Sequence, residues 1–264
     1  MPRLIFVLSL VGLTITLAAC SSGPQVADDS TPSELAEFEP YDDGHQAMEQ
    51  GRWEDASRFY GQAAREVPHS WQAHLNHAIA LTRDESFGQA LEAFERALEA
   101  GGDDHAVVYF NLGNHYQARA LYHLSINPYR MAMAVGEDDD LSFDALLNIA
   151  ASLHFLNRPD EALEALAHAR ELRPDDPRPR LTRGVLLHRQ GDSAQALELM
   201  NDLLMDHPDF HTALYHRAYV LMQQGELNAA LEGFKDYLDA DADGPHRGQA
   251  DSHISTIHQR LDRR

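Results

Sequence analysis

A sequence unit of 34 residues recurs along most of this chain, and a repeat of that length restricts the fold more than any other feature. Each copy begins with a polar turn, which is followed by a segment carrying alanine and larger apolar residues at helical spacing. The copies are QGRWEDASRFYGQAAREVP (50–68), DESFGQALEAFERALEAGG (84–102), FLNRPDEALEALAHARELRP (155–174), RQGDSAQALELMNDLLMDHP (189–208) and QQGELNAALEGFKDYLDA (223–240). The pattern predicts stacked pairs of helices.

Six frames of the unit place small residues in register, and the frames are 37–70, 71–104, 106–139, 143–176, 177–210 and 211–244. The eighth position holds Gly44, Ala78, Gly113, Ala150, Gly184 and Ala218. The twentieth holds Ala56, Ala90, Ser125, Ala162, Ala196 and Ala230. The twenty-fourth is large and holds Tyr60, Phe94, Tyr129, Leu166, Met200 and Phe234. Small residues at two facing positions predict that the two helices of each unit cross closely.

This register resembles the tetratricopeptide repeat, a 34-residue helix–turn–helix unit. The resemblance implies an all-α fold, a right-handed superhelical solenoid of about six helix pairs over residues 37–244. A single repeat cannot bury its apolar face, so the ends of such an array need caps. Residues 245–264 are predicted to form a capping helix, because Ala250, Ile254, Ile257 and Leu261 fall on one helical face.

The third repeat departs from the pattern, because it lacks the turn glycine and contains Pro128. A proline in a helix interior costs about 3 kcal/mol. Asn127 and Pro128 are therefore interpreted as an N-cap and a first-turn residue. This interpretation predicts a first helix that runs to about Ser125, a short second helix from Pro128 to Val135, and a loop from Gly136 to Asp140.

The N-terminal segment resembles the signal peptide of a bacterial lipoprotein. A short basic start is followed by the apolar run from Leu4 to Ala19, which is shorter than the roughly 20 residues that span a bilayer. Cys20, the only cysteine, follows at once, and Leu17-Ala18-Ala19-Cys20 resembles the lipobox. The resemblance implies that residues 1–19 are removed and that Cys20 is lipidated. The alternative is an ordinary secretory signal with an unrelated thiol.

Residues 20–36 are small, acidic and interrupted by proline, so we expect a lipidated N-terminus and a flexible tether before the repeats. Ser21 follows the cysteine. By resemblance to enterobacterial sorting, a serine there implies the outer membrane facing the periplasm, although the rule differs among bacteria.

The composition and the motifs argue against several functions. The formal net charge is −21, so no basic face is expected for nucleic acid, and the acidity serves either solubility or selection of a basic partner. No histidine is directly followed by a glutamate, which excludes an HExxH zinc site. The only lysine, Lys235, directly follows Phe234 and not a glycine, which excludes a GxxxxGK phosphate loop. We therefore expect neither enzymatic activity, nor a small-molecule substrate, nor a cofactor.

One acidic segment resembles the first half of a calcium loop, with Asp239, Asp241 and Asp243 on alternate residues before Gly244. The twelfth position of the loop, which should be a bidentate glutamate, is Ala250. The segment predicts at most a weak calcium site, and an acidic loop between repeats explains the same residues.

The family resemblance also implies a ligand groove, because the first helices of such repeats line a concave surface. The predicted partner-binding residues are Tyr41, His45, Leu75, Ile79, Phe110, Asn114, Leu147, His154, Leu181, His188, Tyr215 and Tyr219. An apolar and aromatic groove suits an amphipathic helix or an extended apolar segment. The alternative is that some of these residues belong to the core. Arg178 and Arg189 are expected near His154 and His188, as a basic patch for an acidic ligand group or as a solvated face.

The sequence thus predicts a non-catalytic protein–protein interaction scaffold, anchored by lipid to the bacterial envelope and acting as an adaptor or assembly factor. Lipoproteins of this type resemble pilus-assembly pilotins and factors that organise cell-wall enzymes. The alternatives are a calcium-responsive binding module and an accessory subunit of an envelope enzyme complex.

Overall fold

The computed structural model describes residues 35, 38–136, 138–242 and 244–263, and within these ranges it contains thirteen α-helices, one short 3₁₀ helix (Gly102–Asp104) and no strand. The helices are α1 Glu39–Glu49, α2 Trp53–Glu66, α3 Trp71–Arg83, α4 Phe87–Glu99, α5 Ala106–Ala118, α6 Tyr122–Val135, α7 Asp139–Phe155, α8 Pro159–Leu172, α9 Arg178–Arg189, α10 Ser193–Asp206, α11 Thr212–Gln224, α12 Leu227–Ala240 and α13 Arg247–Leu261. Cys20 and the predicted signal peptide lie outside the described residues.

The helices stack in consecutive pairs, which confirms the predicted all-α solenoid. The first helix of each pair packs on the second helix of the pair before it, and α3, α5, α7, α9 and α11 also contact one another in sequence. These first helices therefore form one continuous face, and the curvature of a solenoid makes that face concave. Among the described residues, no helix combines the length and apolar character needed to cross a bilayer.

A left-handed residue at the fifteenth position ends the first helix of every repeat. Three of these residues are glycines, Gly51, Gly191 and Gly225, and three are Glu85 (φ 59°), Ala120 (φ 55°) and Asn157 (φ 56°). The next residue donates its backbone N–H to a carbonyl five residues earlier, as Leu121 does to Tyr116 at 2.9 Å. This is the hydrogen bond of a Schellman motif, which satisfies carbonyls that a helix end leaves unpaired. Glycine is favoured there but not required.

The predicted boundaries of the third repeat are wrong. Ala120 adopts the left-handed conformation, so α5 ends at Ala118 and the second helix begins at Tyr122. Pro128 then lies inside α6 rather than at its first turn. Proline lacks the N–H that would pair with the carbonyl of Leu124, a residue that is 42% exposed. The predicted acidic loop is also shorter, because Asp138 caps α7 by accepting the N–H of Asp140 at 2.7 Å.

Small residues at the eighth position accommodate the large side chain at the twenty-fourth. A Cβ atom added to Gly113 would lie 2.5 Å from the ring of Tyr129, and one added to Gly44 would lie 2.8 Å from the ring of Tyr60. Both tyrosine side chains are fully buried. The close crossing predicted from the sequence is therefore enforced by an aromatic ring lying against the backbone of the first helix.

The C-terminal helix α13 closes the last pair, as predicted. Ala250 and Ile257 are fully buried, and Ile254 and Leu261 pack half-buried beside them. The turn before α13 is fixed by Tyr237, whose hydroxyl oxygen accepts the backbone N–H of His246 at 3.0 Å. The apolar face that α12 would otherwise expose is covered by this helix.

Gly113→Ala is expected to destabilise the protein, because the new methyl group would collide with the fully buried ring of Tyr129. Overpacking of this kind typically costs about 1–3 kcal/mol. The matched control is Gly88→Ala in α4, where a Cβ atom meets nothing within 4 Å. Alanine there is expected to stabilise by roughly 0.5–1 kcal/mol. Urea unfolding of both variants measures the two effects, and equal stabilities would contradict the steric explanation.

Candidate binding face

Most of the predicted groove is core rather than an exposed surface, and that part of the prediction is wrong. The residues concerned are Tyr41, Leu75, Ile79, Phe110, Leu147, Leu181, Tyr215 and Tyr219, none of which is more than 4% exposed. Alanine substitution at these positions would remove packing from the fold, so loss of partner binding there would not locate a binding site.

The buried positions are covered by helices of the same repeat and of neighbouring repeats. The hydroxyl oxygen of Tyr41 accepts a hydrogen bond from the Asn76 side chain of α3 at 2.8 Å. Phe110 packs edge-to-face on Tyr129 with ring centroids 5.6 Å apart. The fifth position of a repeat therefore points between helices, which was the alternative interpretation of the sequence.

Tyr215 and Tyr219 are covered by the capping helix and the turn before it. His246 stacks on Tyr215 with ring centroids 4.3 Å apart and an interplanar angle of 8°. His253 of α13 lies 5.5 Å from the ring of Tyr219. The C-terminal end of the predicted groove is therefore closed by the chain itself.

The other four predicted groove residues, His45, Asn114, His154 and His188, are partly exposed. Two of them are held against buried tyrosines. Asn114 accepts a hydrogen bond from the Tyr129 hydroxyl at 2.7 Å, and the ring of His45 packs edge-on against Tyr41 at 4.7 Å. The remaining two, His154 and His188, are the last residues but one of the adjacent first helices α7 and α9. Arg189, which follows His188, is the last residue of α9.

Arg189 is the centre of this part of the face. Its Nη1 donates to Nε2 of His154 at 2.7 Å, which requires His154 to be the neutral tautomer with its proton on Nδ1. Burial and the nearby Arg189 charge lower the pKa of His154 to about 4. At neutral pH the positive charge of the site therefore resides on the guanidinium and not on the imidazole.

Two aromatic residues that the sequence analysis did not select complete the site. Phe155 lies below the guanidinium, with 5.3 Å between Cζ of Arg189 and the ring centroid, and is 38% exposed. Tyr122, at the start of α6, stacks on Phe155 with centroids 4.3 Å apart. Phe155 occupies the thirteenth position of its repeat, as Arg189 does in the next. That shared position is the sequence signal that would have identified it.

Arg178 does not contribute free positive charge, contrary to the predicted basic patch. Its guanidinium donates to Asp144 at 2.9 Å and to Asp176 at 2.9 Å. Burial lowers the pKa of Arg178, but hydrogen bonding and charge from Asp176, with Asp144, raise it above its ordinary value. The two carboxylates, each largely buried, neutralise this arginine within the fold.

The predicted calcium site stays a prediction, because Asp243 lies outside the described residues. Asp239 is within α12 and Asp241 caps its end. The glycine at position 244 is explained by packing without a metal ion, because a Cβ atom there would collide with the Tyr237 hydroxyl and the Asp241 carboxylate. Over residues 35, 38–136, 138–242 and 244–263, no cluster of three or more metal-ligating side chains occurs.

Comparison with known families identifies the repeat. The sequence model described as tetratricopeptide repeat matches residues 41–105, 147–204 and 181–245, which together span more than half of the chain. The matched segments leave out residues 106–146, which include the pair α5 and α6 with Pro128 in its second helix.

Individual relatives share part of the sequence or the fold. Protein FlbA of Caulobacter vibrioides is 32% identical over 160 residues, which are 59% of this chain and 26% of that protein, so the chain spans about a quarter of its length. The structure of Pseudomonas aeruginosa PilF superimposes with a TM-score of 0.57 at 15% identity, covering 79% of this chain and 93% of that one. MamA from Desulfovibrio magneticus gives a TM-score of 0.56 at 16% identity, covering 68% and 98%. At these identities the two structures show the fold alone.

The stability of the protein is expected to fall as the pH is lowered, and His216 of α11 is the clearest cause. Its side chain is buried, and this burial lowers the pKa of His216 to about 3, together with the charges of His246 and Arg189. The folded-state pKa is below the ordinary value of about 6.5, so the unfolded chain binds this proton more readily. The stabilisation is therefore complete above about pH 6.5 and is lost as the pH falls towards 3, at up to about 1.4 kcal/mol per pH unit.

Replacing His216 with phenylalanine should reduce the slope of unfolding free energy against pH between pH 6 and pH 4 by roughly that amount. The matched control is His168→Phe on the exposed face of α8, which removes a histidine without removing a buried one. Urea unfolding at each pH gives the slopes. Parallel slopes for the wild-type protein and the His216 variant would contradict the assignment.

Proposed function

Since the chain belongs to the tetratricopeptide repeat family, we propose that it is a non-catalytic protein–protein interaction scaffold, anchored by lipid to the bacterial envelope. Members of this family bind protein or peptide partners. The observation that carries the envelope assignment is the segment Leu17-Ala18-Ala19-Cys20, in which the only cysteine follows directly on an apolar run of signal-peptide length. The anchor is a lipid on Cys20, and the solenoid is the part that meets the partner.

The partner engages the concave face where α7 and α9 end. The partly exposed side chains His154, Phe155 and His188 support this location, since much of the remaining predicted groove is buried. An aromatic surface beside polar groups is typical of the centre of a protein interface. The solenoid then acts as an adaptor or assembly factor on the periplasmic side of the outer membrane.

The proposed function involves no nucleic acid, no small-molecule substrate and no cofactor. A formal net charge of −21 supports the first point, because a nucleic-acid binder needs a basic surface to displace counterions from phosphates. A lipid anchor also suits so acidic a body, because anionic headgroups would repel it.

Cys20→Ser is expected to abolish fatty-acid labelling of the protein in the native cell and to leave an unprocessed precursor that retains residues 1–19. The reason is that only the thiol at this position can carry the lipid. Metabolic labelling with an alkyne fatty acid measures the first effect, and the larger mass of the precursor on electrophoresis measures the second. Ser21→Ala serves as the control, because it alters the adjacent residue and keeps the thiol. Labelling that persists in the Cys20 variant would contradict the anchor.

A photoreactive benzoylphenylalanine at position 188, on the concave face, is expected to give a discrete crosslinked product in the native envelope. The control position is 205 on α10, since Met205 is 77% exposed and lies on the second helix of its pair, away from that face. The face-specific difference is the supporting result. Crosslinking that is equal at the two positions, or absent at position 188, would contradict partner binding at this part of the concave face.

A further inference from the structure

Arg189 is a half-buried cation, and no carboxylate of the described residues forms an ion pair with it. Its one hydrogen bond to another described residue is the donation from Nη1 to His154, and no ion pair to this arginine occurs in the described part of the chain. A guanidinium offers five N–H donors, so one neutral acceptor leaves most of its capacity unused. Burial lowers the pKa of Arg189, and the groups that partly offset this are the hydroxyls of Tyr219 and Tyr122 rather than acids.

The contrast with Arg178 is informative, because the two arginines begin and end the same helix, α9. Arg178 is paired with both Asp144 and Asp176, as expected in a protein with 42 acidic and 21 basic residues. A half-buried cation is costly unless it is paired. Among the described residues, counter-charges are thus present at the Arg178 end of α9 and absent at the Arg189 end, which lies on the concave face.

The position of Arg189 at a helix C-terminus does not account for its surroundings. A cation there is favoured by the helix dipole even when it is fully solvated. The guanidinium instead crosses to the neighbouring helix α7, where His154 orients it and Phe155 supports it from below. His188 is held separately, through the contact of Nδ1 with the Ser193 hydroxyl at 2.8 Å. These contacts restrain a planar donor group, as bidentate recognition of a carboxylate requires.

We propose that Arg189, oriented by His154 and lying over Phe155, binds a carboxylate side chain of an extended partner segment that also places an apolar residue on the Phe155–Tyr122 stack. This inference rests on the proposed function and specifies the chemistry of the partner. One guanidinium matches the single charge of an aspartate or glutamate. The site also lies between other repeats and not at an end of the solenoid, with α5 before it and α11 beyond it.

The first test selects peptides from a phage-displayed library of random sequences against the full-length protein purified in detergent. An acidic residue next to an aliphatic or aromatic residue should be enriched among the peptides that bind the wild-type protein. This enrichment should be lost with Arg189→Gln and retained with Arg183→Gln. Arg183 is a matched control because it lies on the same helix, is exposed, and carries the same charge.

The second test is a double-mutant cycle with the most enriched peptide, made synthetically. Replacing its acidic residue with the corresponding amide should weaken binding to the wild-type protein about tenfold or more, as expected for loss of a charge-assisted hydrogen bond. The same replacement should have almost no effect on binding to the Arg189→Gln variant. Arg189→Lys should recover part of the affinity, because lysine restores the charge without the planar fork. Circular dichroism of each variant confirms that it is folded.

Three results would overturn the inference: no enrichment of acidic residues, an equal loss with Arg183→Gln, or an acid-to-amide effect that persists in the Arg189 variant. Binding that depends on a free C-terminal carboxylate would reject the side-chain assignment, and synthetic peptides with amidated ends decide this. Failure of the wild-type protein to select any peptide would also reject it. The proposed function is judged separately, because crosslinking at position 188 in the native envelope does not depend on the chemistry of the ligand.

Discussion

The close crossing of the two helices within each repeat is the interaction on which the rest of this structure depends. A large side chain from the second helix lies against the backbone of the first, as Tyr129 does at Gly113, and only a small residue leaves room for it. Core packing cannot yield easily at such a contact, because interiors are close-packed. Each crossing therefore fixes the angle of its pair, and a fixed angle repeated along the chain aligns the first helices on one face. The candidate binding face follows from this alignment.

The sequence predicted the fold correctly where a residue type is dictated by contact. Each repeat requires small residues at two fixed positions and a large residue at a third. These requirements can be recognised from the sequence alone. The prediction failed at the third repeat, because the missing turn glycine and the expected cost of Pro128 in a helix interior were taken to place the turn after Ser125. Ala120 adopts the left-handed conformation with a 6→1 hydrogen bond closing around it. A non-glycine residue in this conformation costs about 1–2 kcal/mol, and Glu85 and Asn157 adopt it at the same position of their repeats.

The binding face was harder to predict, because exposure and charge depend on residues that are distant in sequence. Tyr215 is aromatic and lies on a first helix, but His246, 31 residues later, stacks on it and buries it. Arg178 and Arg189 are indistinguishable by residue type, and only the structure shows that Asp144 of another repeat neutralises the first. The two histidines at the twelfth position were placed correctly as neighbours of Arg189, since a repeat brings equal positions of adjacent units together.

A half-buried arginine with no ion pair among the described residues, placed on the concave face of an acidic protein, has a consequence for recognition. At physiological ionic strength the Debye length is about 8 Å, so a ligand carboxylate at Arg189 interacts mainly with charges close to it. The net charge of −21 acts at longer range and opposes the approach of acidic partners generally. A segment that reaches Arg189 and also covers the aromatic stack gains both interactions, whereas an acidic segment of another shape meets only repulsion. The acidity of the solenoid thereby increases selectivity, because charge alone is insufficient for binding and shape complementarity is needed as well.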